Sequence, residues 1–198
     1  MGDLLEPAFF ARDVVTVAKD LVGCEIWRDG VGLRITETEA YAGPGDTASH
    51  SHRRRTPRNE PMWGPQGRLY VYVCYGIHPM LNLVAHDDGA VGAALIRSAE
   101  VIDGLEIVLE RRGRAGKGLT AGPGKVGQAL ALDPTWSHHD GCAPGGVELR
   151  SGRAATRIGV GARIGVDYAD PAHRDAPWRF GDIDGVVTWP KRLSIPAG

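Results

Sequence analysis

Residues 33–41, LRITETEAY, narrow most sharply what this chain can become. β-Branched and charged residues alternate through the segment, and a period of two marks an extended strand rather than a helix. Read as a strand, it sets Ile35, Glu37, Glu39 and Tyr41 on one face and Arg34, Thr36, Thr38 and Ala40 on the other. Carboxylates seldom sit among apolar neighbours unless paired, so the two glutamates either face water with salt-bridging partners or belong to a site. The segment runs straight into the bend Gly43-Pro44-Gly45, and a strand end beside a loop is where binding and catalytic groups collect.

The remaining elements are short. Residues 12–23 read as a helix capped by Asp13, with Val14, Val17, Ala18 and Leu21 on one face and Gly23 as its stop. Residues 24–27 pair with the 33–41 strand around Asp29-Gly30. Residues 68–75 and 77–85 make a hairpin around Gly76, in which Pro79 demands an exposed edge or an irregularity. A third strand covers 90–98, and helices cover 103–112 and 125–132, the latter opened by Pro123. The tail from residue 147 reads as strand and turn. Loop 42–67 is long for a compact domain, and such loops are usually functional or disordered. No repeat or linker divides the chain, so the expectation is a single α+β domain over residues 1–198 with a mostly antiparallel sheet.

A hydrophobic share of 42% and a charged share of 24% suit a soluble globular protein. No run approaches the roughly 18 apolar residues of a membrane span, and the start MGDLLEPAFFARD lacks a signal-peptide pattern. The expectation is therefore a cytoplasmic protein, nucleoid-associated if bacterial, with no membrane partner. The three cysteines share no metal-ligand spacing. Net charge is −1, which argues weakly against nucleic-acid binding, but screening limits electrostatic reach to about 10 Å, so local distribution decides. Arg53, Arg54, Arg55, Arg58 and Arg68 face only Glu60 in one stretch; Arg111, Arg112, Arg114, Lys117 and Lys125 face only Glu110 in another. Either run alone reads as a solvated face. Together they flank the aromatic segment as a phosphate-contacting surface would.

Three of the five tyrosines fall within residues 70–75. Tyr70 and Tyr72 share a strand face, and core packing accounts for such residues. Tyr75 stands at the turn before Gly76, where burial gives no account of it; it reads as a wedge or contact residue. Carboxylate, tyrosines and arginines together suit an enzyme that grips a polyanion and holds a flat ring between aromatic faces. Two other classes stay open. His50, His52 and the residues near His138 could serve a metal-dependent hydrolase, although no complete ligand spacing is present. A non-enzymatic binding module would use the tyrosines to stack and the arginines to hold phosphate, but gains nothing from Glu39 facing a polyanion. No nucleotide-binding loop is complete either, since Gly118 to Lys125 fails the phosphate-loop spacing; no metal or cofactor is expected.

The blocks ETEAYAGPGDTASHS, TPRN, LYVYVCYG with Asn82, ALIR and AGPGKVGQALAL, in that order along nearly the whole chain, resemble the alkyladenine (3-methyladenine) DNA glycosylase family. The resemblance implies a compact α+β domain with a curved sheet, flanking helices and a protruding β-hairpin that enters the DNA minor groove. It implies a monomeric, cofactor-free, monofunctional enzyme that excises alkylated or deaminated purines from double-stranded DNA. Carried onto matching positions, Glu39 resembles the base that activates water, Tyr41 one wall of the base pocket, and Tyr72 with His50 the other. Tyr75 is similar to the residue that fills the gap left by the flipped nucleotide. Asn82 resembles the side chain that excludes guanine's amine, and Arg97 a residue near the water and the flipped nucleotide's phosphate. Arg53, Arg54, Arg55, Arg58 and Lys125 are candidates for the DNA backbone. In the last fifty residues only Trp178-Arg179-Phe180 keeps the resemblance, which puts distal DNA contacts in doubt more than the chemistry.

Overall fold

The computed structural model describes residues 1–113, 116, 118–185 and 193–195. A short helix α1 (Pro7–Phe10), without counterpart in the sequence reading, precedes α2 (Val14–Asp20). Asp13 caps α2 by accepting from the Thr16 amide at 2.9 Å, and Val14, Val17 and Ala18 are buried. The helix is shorter than the 12–23 expected, ending before Gly23 at φ +104°. Strands β1 (Glu25–Arg28) and β2 (Val31–Ala42) meet at Asp29-Gly30, both in the left-handed region at φ +47° and +76°. Two consecutive positive φ values close a two-residue hairpin in the sense that matches strand twist.

The β3 (Leu69–Cys74) and β4 (His78–Val84) hairpin follows, then β5 (Gly92–Asp103), which runs five residues beyond the strand expected. Helices α3 (Leu105–Arg112) and α4 (Pro123–Ala129) come next. The tail holds β6 (Glu148–Arg150), β7 (Ile158–Gly161), helix α5 (Pro171–Arg174) and β8 (Arg179–Asp182). All strands join one curled antiparallel sheet in the order β3-β4-β5-β2-β1-β6, with β8 pairing both β2 and β7. The architecture is α+β, as expected. Pro79 sits where β4 pairs only with β3, because β5 covers no more than Asn82–Val84 of β4. Its missing N–H therefore costs no ladder bond, and the hairpin extends past the sheet.

One departure from strict alternation positions everything else. Of the three register shifts in the β2–β5 pairing, one lies at Gly32/Leu33 and the other two fall between Ile35 and Glu37 and between Glu37 and Thr38. A bulge inserts a residue and reverses which face later residues occupy. Ile35 and Ala40 consequently both enter the main apolar core, although one is odd and the other even. Glu37, Glu39 and Tyr41 do not share Ile35's surroundings. The face carrying Ile96, Ala94, Leu83 and Leu81 packs with Val17 and Leu21 of the α2 region and Val126 of α4, and Thr38 donates to the Ala18 carbonyl at 2.6 Å to dock α2. The opposite face is left for the site.

Candidate active site

Antiparallel register places Tyr70 opposite Asn82, Asn82 opposite Leu95, Leu95 opposite Glu39, and Glu39 opposite Arg179. Residues in one cross-strand row project to the same side of a sheet. That row crosses β3, β4, β5, β2 and β8, and its near end floors a pocket of about 680 Å³. Every tyrosine in the chain lines the pocket: Tyr41, Tyr70, Tyr72, Tyr75 and Tyr168, along with His50, Arg58, Asn82, Leu95, Arg97 and Ile164.

Glu39 itself is 0% exposed and lies beneath this floor, and the groups that hold it form the wall. The Tyr41 hydroxyl donates to its Oε2 at 2.8 Å, the Ile164 amide donates to Oε1 at 2.7 Å, and the Arg97 guanidinium lies 3.1 Å from Oε2. Tyr41 is held well above its ordinary pKa, first by burial and then by the Glu39 charge that accepts its proton; it stays a donor. Glu37 is equally buried, with the Arg179 guanidinium donating at 2.9 Å and the Ser98 hydroxyl at 3.1 Å, and it forms an ion pair with Arg97, whose Nε lies 3.4 Å away. Burial works against the Arg97 charge, but Glu39 and then Glu37 outweigh it and hold the pKa above its usual value.

The far wall is aromatic. The Tyr70 and Tyr72 rings lie 5.3 Å apart between centroids at a 35° tilt, the His50 ring meets Tyr72 edge-on at 4.7 Å, and His50 Nδ1 lies 3.0 Å from the Tyr70 hydroxyl. Burial, and then Arg58, push the His50 pKa down, so the ring is neutral at pH 7. Burial raises Tyr70 to about 12 and carries Tyr72 higher still. Asn82 opposes Tyr70 rather than Tyr72; its amide nitrogen donates to the carbonyls of Tyr70 at 3.0 Å and Met80 at 3.2 Å. That leaves the carboxamide oxygen as the atom it can present.

Tyr75 stands in the three-residue tip between Cys74 and His78, 91% exposed and at φ +52°. A bulky residue in the left-handed region costs about 1–2 kcal/mol, and such strain clusters at functional positions. Ile77 beside it is also exposed.

Several residues here escaped the sequence reading, and they come from the tail. Arg163, wholly buried, forms a two-armed ion pair with Asp46 at 2.6 and 2.8 Å and donates to the carbonyls of Ala40 and His173. Its guanidinium lies 4.9 Å from both the Tyr41 and Trp178 ring centroids. It thereby fixes the Tyr41 ring, the Gly43–Asp46 bend and the adjacent Ile164 amide. Tyr168 reaches across to the Ala48 carbonyl at 2.9 Å. The tail, where the resemblance is weakest, supplies the Ile164 amide to Glu39, Arg163 to Asp46 and Arg179 to Glu37.

A model of the family described as methylpurine-DNA glycosylase matches residues 8–184. The chain belongs to the methylpurine-DNA glycosylase family. It is 49% identical over 197 residues to a protein of Arabidopsis thaliana named DNA-3-methyladenine glycosylase, covering 98% of this chain and 77% of that one. It is 53% identical over 181 residues to a Nitrosococcus oceani protein whose name assigns it as a 3-methyladenine DNA glycosylase, covering 91% and 90%. A relative from Methanocella arvoryzae, assigned likewise, is 42% identical over 181 residues, covering 88% and 90%. Family membership places the chain among hydrolases of the N-glycosyl bond in DNA and implies binding to damaged DNA.

Within this glycosylase domain the two basic runs differ. Arg53, Arg54, Arg55 and Arg58 are exposed, with Arg55 paired to Glu60 and Arg58 5.4 Å from the Tyr72 ring. In the second run, Arg111 donates to the Ala129 carbonyl and Arg112 to Leu119 and Gln128, tying α3 to α4. These two are structural, contrary to the phosphate-contact expectation. Lys125 donates to the Gly118 carbonyl at 3.3 Å; Arg114 and Lys117 lie outside the described residues. The histidines do not converge: His50 serves Tyr70, His52 Nδ1 lies on the Ser49 carbonyl, and His138 Nε2 lies 3.0 Å from Glu60. His50 sits in a turn and His52 in a bend.

Proposed function

We propose that this protein is a monofunctional glycosylase that flips alkylated or deaminated purines out of duplex DNA, with Glu39 activating the attacking water. The observation that carries the reading is a buried carboxylate, held from three sides, under the floor of a pocket walled by tyrosines. A base inside a duplex hides its glycosidic bond, so the enzyme must extrude it. The pocket fits a purine ring by stacking between Tyr41 and the Tyr72–His50 wall, and a cationic base such as 3-methyladenine gains further from aromatic faces.

In the reaction, water oxygen bonds to C1′ of the deoxyribose as the C1′–N bond breaks, its electron pair leaving with the purine. Glu39 takes the water's proton and opposes the positive charge that develops on the sugar. A carboxylate offers about four lone-pair positions; Tyr41, Ile164 and Arg97 occupy three, which fixes the group and leaves one direction for water. Ring-alkylated cations leave as neutral bases without help. Glu37 is committed to Arg179, Ser98 and Arg97, so it supplies no acid.

The test uses duplex DNA carrying one hypoxanthine or alkylated purine, with chelator present, and reads abasic sites. Wild type leaves them. Glu39→Gln binds the same DNA but excises about 10²- to 10⁴-fold more slowly, since an amide takes no proton. A variant within a few-fold of wild type removes Glu39 from the role, and excision restored only by an added divalent ion favours a metal hydrolase.

A further inference from the structure

We infer that Glu37 is a positioning residue that sets the base strength of Glu39 through the guanidinium they share, a role that rests on reading Glu39 as the base. Arg97 lies 3.1 Å from Glu39 and 3.4 Å from Glu37, and Glu37 in turn holds Arg179 at 2.9 Å. Arg179, Glu37, Arg97 and Glu39 thus form an alternating chain of buried charges with no net charge. β8 brings Arg179 to the position directly opposite Glu39.

A cation beside a carboxylate stabilises its charged form and so weakens it as a proton acceptor. Glu37 opposes that effect twice. It draws on the charge of Arg97, and it neutralises Arg179, which otherwise faces Glu39 across the β2–β8 ladder. The other titratable groups near Glu39 are Tyr41 on β2, Tyr72 on β3 and Tyr168 in the tail loop, whose hydroxyls burial first of all holds protonated, and Arg163 with Asp46, whose opposite charges are paired with each other. The charges that bear on Glu39 are therefore Arg97, Arg179 and Glu37. Glu37 is the only carboxylate among them, which accounts for a second glutamate two residues from the first although it does not itself line the pocket.

The experiment is single-turnover excision of hypoxanthine from duplex DNA across the acidic and neutral pH range. The wild-type acidic limb, missing from the slow residual excision of Glu39→Gln, identifies the base; if Glu39→Gln excises within a few-fold of wild type, it is the reading of Glu39 that fails. Glu37→Gln keeps the side chain's shape and loses its charge. Its acidic limb moves about one unit to lower pH, as an uncompensated neighbouring cation requires. Its plateau falls about threefold, as expected for a weaker base with the proton half transferred. Glu37→Asp retains the charge and returns the limb to the wild-type position. If Glu37→Gln does not fold, Glu37→Gln combined with Arg179→Met removes the ion pair as a neutral unit and moves the limb in the same direction, because Arg97 still lacks its second carboxylate. A limb that coincides with wild type in the Gln variant, or that moves equally in the Asp variant, overturns the proposal.

Discussion

Asp46→Asn is the sharpest test of how the site is held. Both Asp46 oxygens carry two bonds: Oδ2 accepts from Arg163 and the Ala42 amide, and Oδ1 accepts from Arg163 and the Ala48 amide. Asparagine replaces one oxygen with a donor. Whichever way the amide turns, its NH₂ meets one guanidinium N–H and one backbone N–H, so no rotamer restores the set. The Arg163 charge is also left unpaired, and both side chains are essentially inaccessible, at 0% and 1% exposure. Breaking one side of a buried ion pair costs about 3–5 kcal/mol. For a domain of this size that lowers the melting temperature by about 6–20 °C. The control is Asp184→Asn, which breaks the exposed Arg157–Asp184 pair and leaves the melting temperature nearly unchanged, because such pairs are weak in water. Thermal unfolding followed by circular dichroism reads both. Asp46→Asn should also slow excision, since Arg163 fixes Tyr41 and the Ile164 amide on Glu39. Equal, small losses in the two variants would refute the claim that burial and four-fold acceptance make Asp46 the anchor.

Tyr75→Ala should weaken capture of the flipped state, because a 91% exposed ring held at positive φ has no packing role to lose; 2-aminopurine fluorescence beside the lesion reads flipping, and an unchanged signal removes the wedge role. Asn82→Ala should raise release of guanine or 7-methylguanine relative to hypoxanthine by about 10- to 100-fold, the value of one lost clash, and unmoved excision ratios in an active variant count against exclusion by Asn82. His50 gives a pH effect on stability. Its folded pKa is pushed below the ordinary 6.5 by burial and then Arg58, so the unfolded chain binds the extra proton first. The contribution is present above 6.5 and is lost as pH falls through the folded value; His50→Gln should flatten the denaturation midpoint over that window, and an equally steep fall in the variant would place the titration elsewhere.

The sequence disclosed those parts of the site whose meaning is local. Glu39 and Tyr41 follow from a strand that ends at a Gly-Pro bend, and Tyr70, Tyr72 and Tyr75 follow from one hairpin around Gly76. The bulge after Ile35 carries no signal in LRITETEAY, because its effect is set by the partner strand β5. The tail was opaque for a different reason. Arg163 in GARIGVDYAD reads like any surface arginine until Asp46, 117 positions earlier, is folded against it. The Ile164 contribution is a backbone amide, which every residue except proline possesses. Tyr168 had one usable clue, as the remaining tyrosine in a chain whose other four were already assigned to one region.

Glu37 and Glu39 show how environment sorts identical side chains into different roles. They sit on one strand and share one arginine, yet one is bound by two guanidinium groups and a serine, the other by a phenol, an amide and a single guanidinium at the pocket wall. The same accounting resolves the net charge of −1. The buried charged residues among those described are four arginines and four carboxylates, and they match one to one: Arg34 with Asp182, Arg97 with Glu39, Arg163 with Asp46, Arg179 with Glu37. The interior is therefore neutral, and the field that a polyanion meets is set by where the exposed charges stand. Arg53, Arg54, Arg55 and Arg58 stand on the loop that carries His50 to the pocket, and Arg58 reaches its lining. A chain of slightly negative total charge can thus present a locally positive approach to the pocket, because screening makes the nearest 10 Å or so decisive.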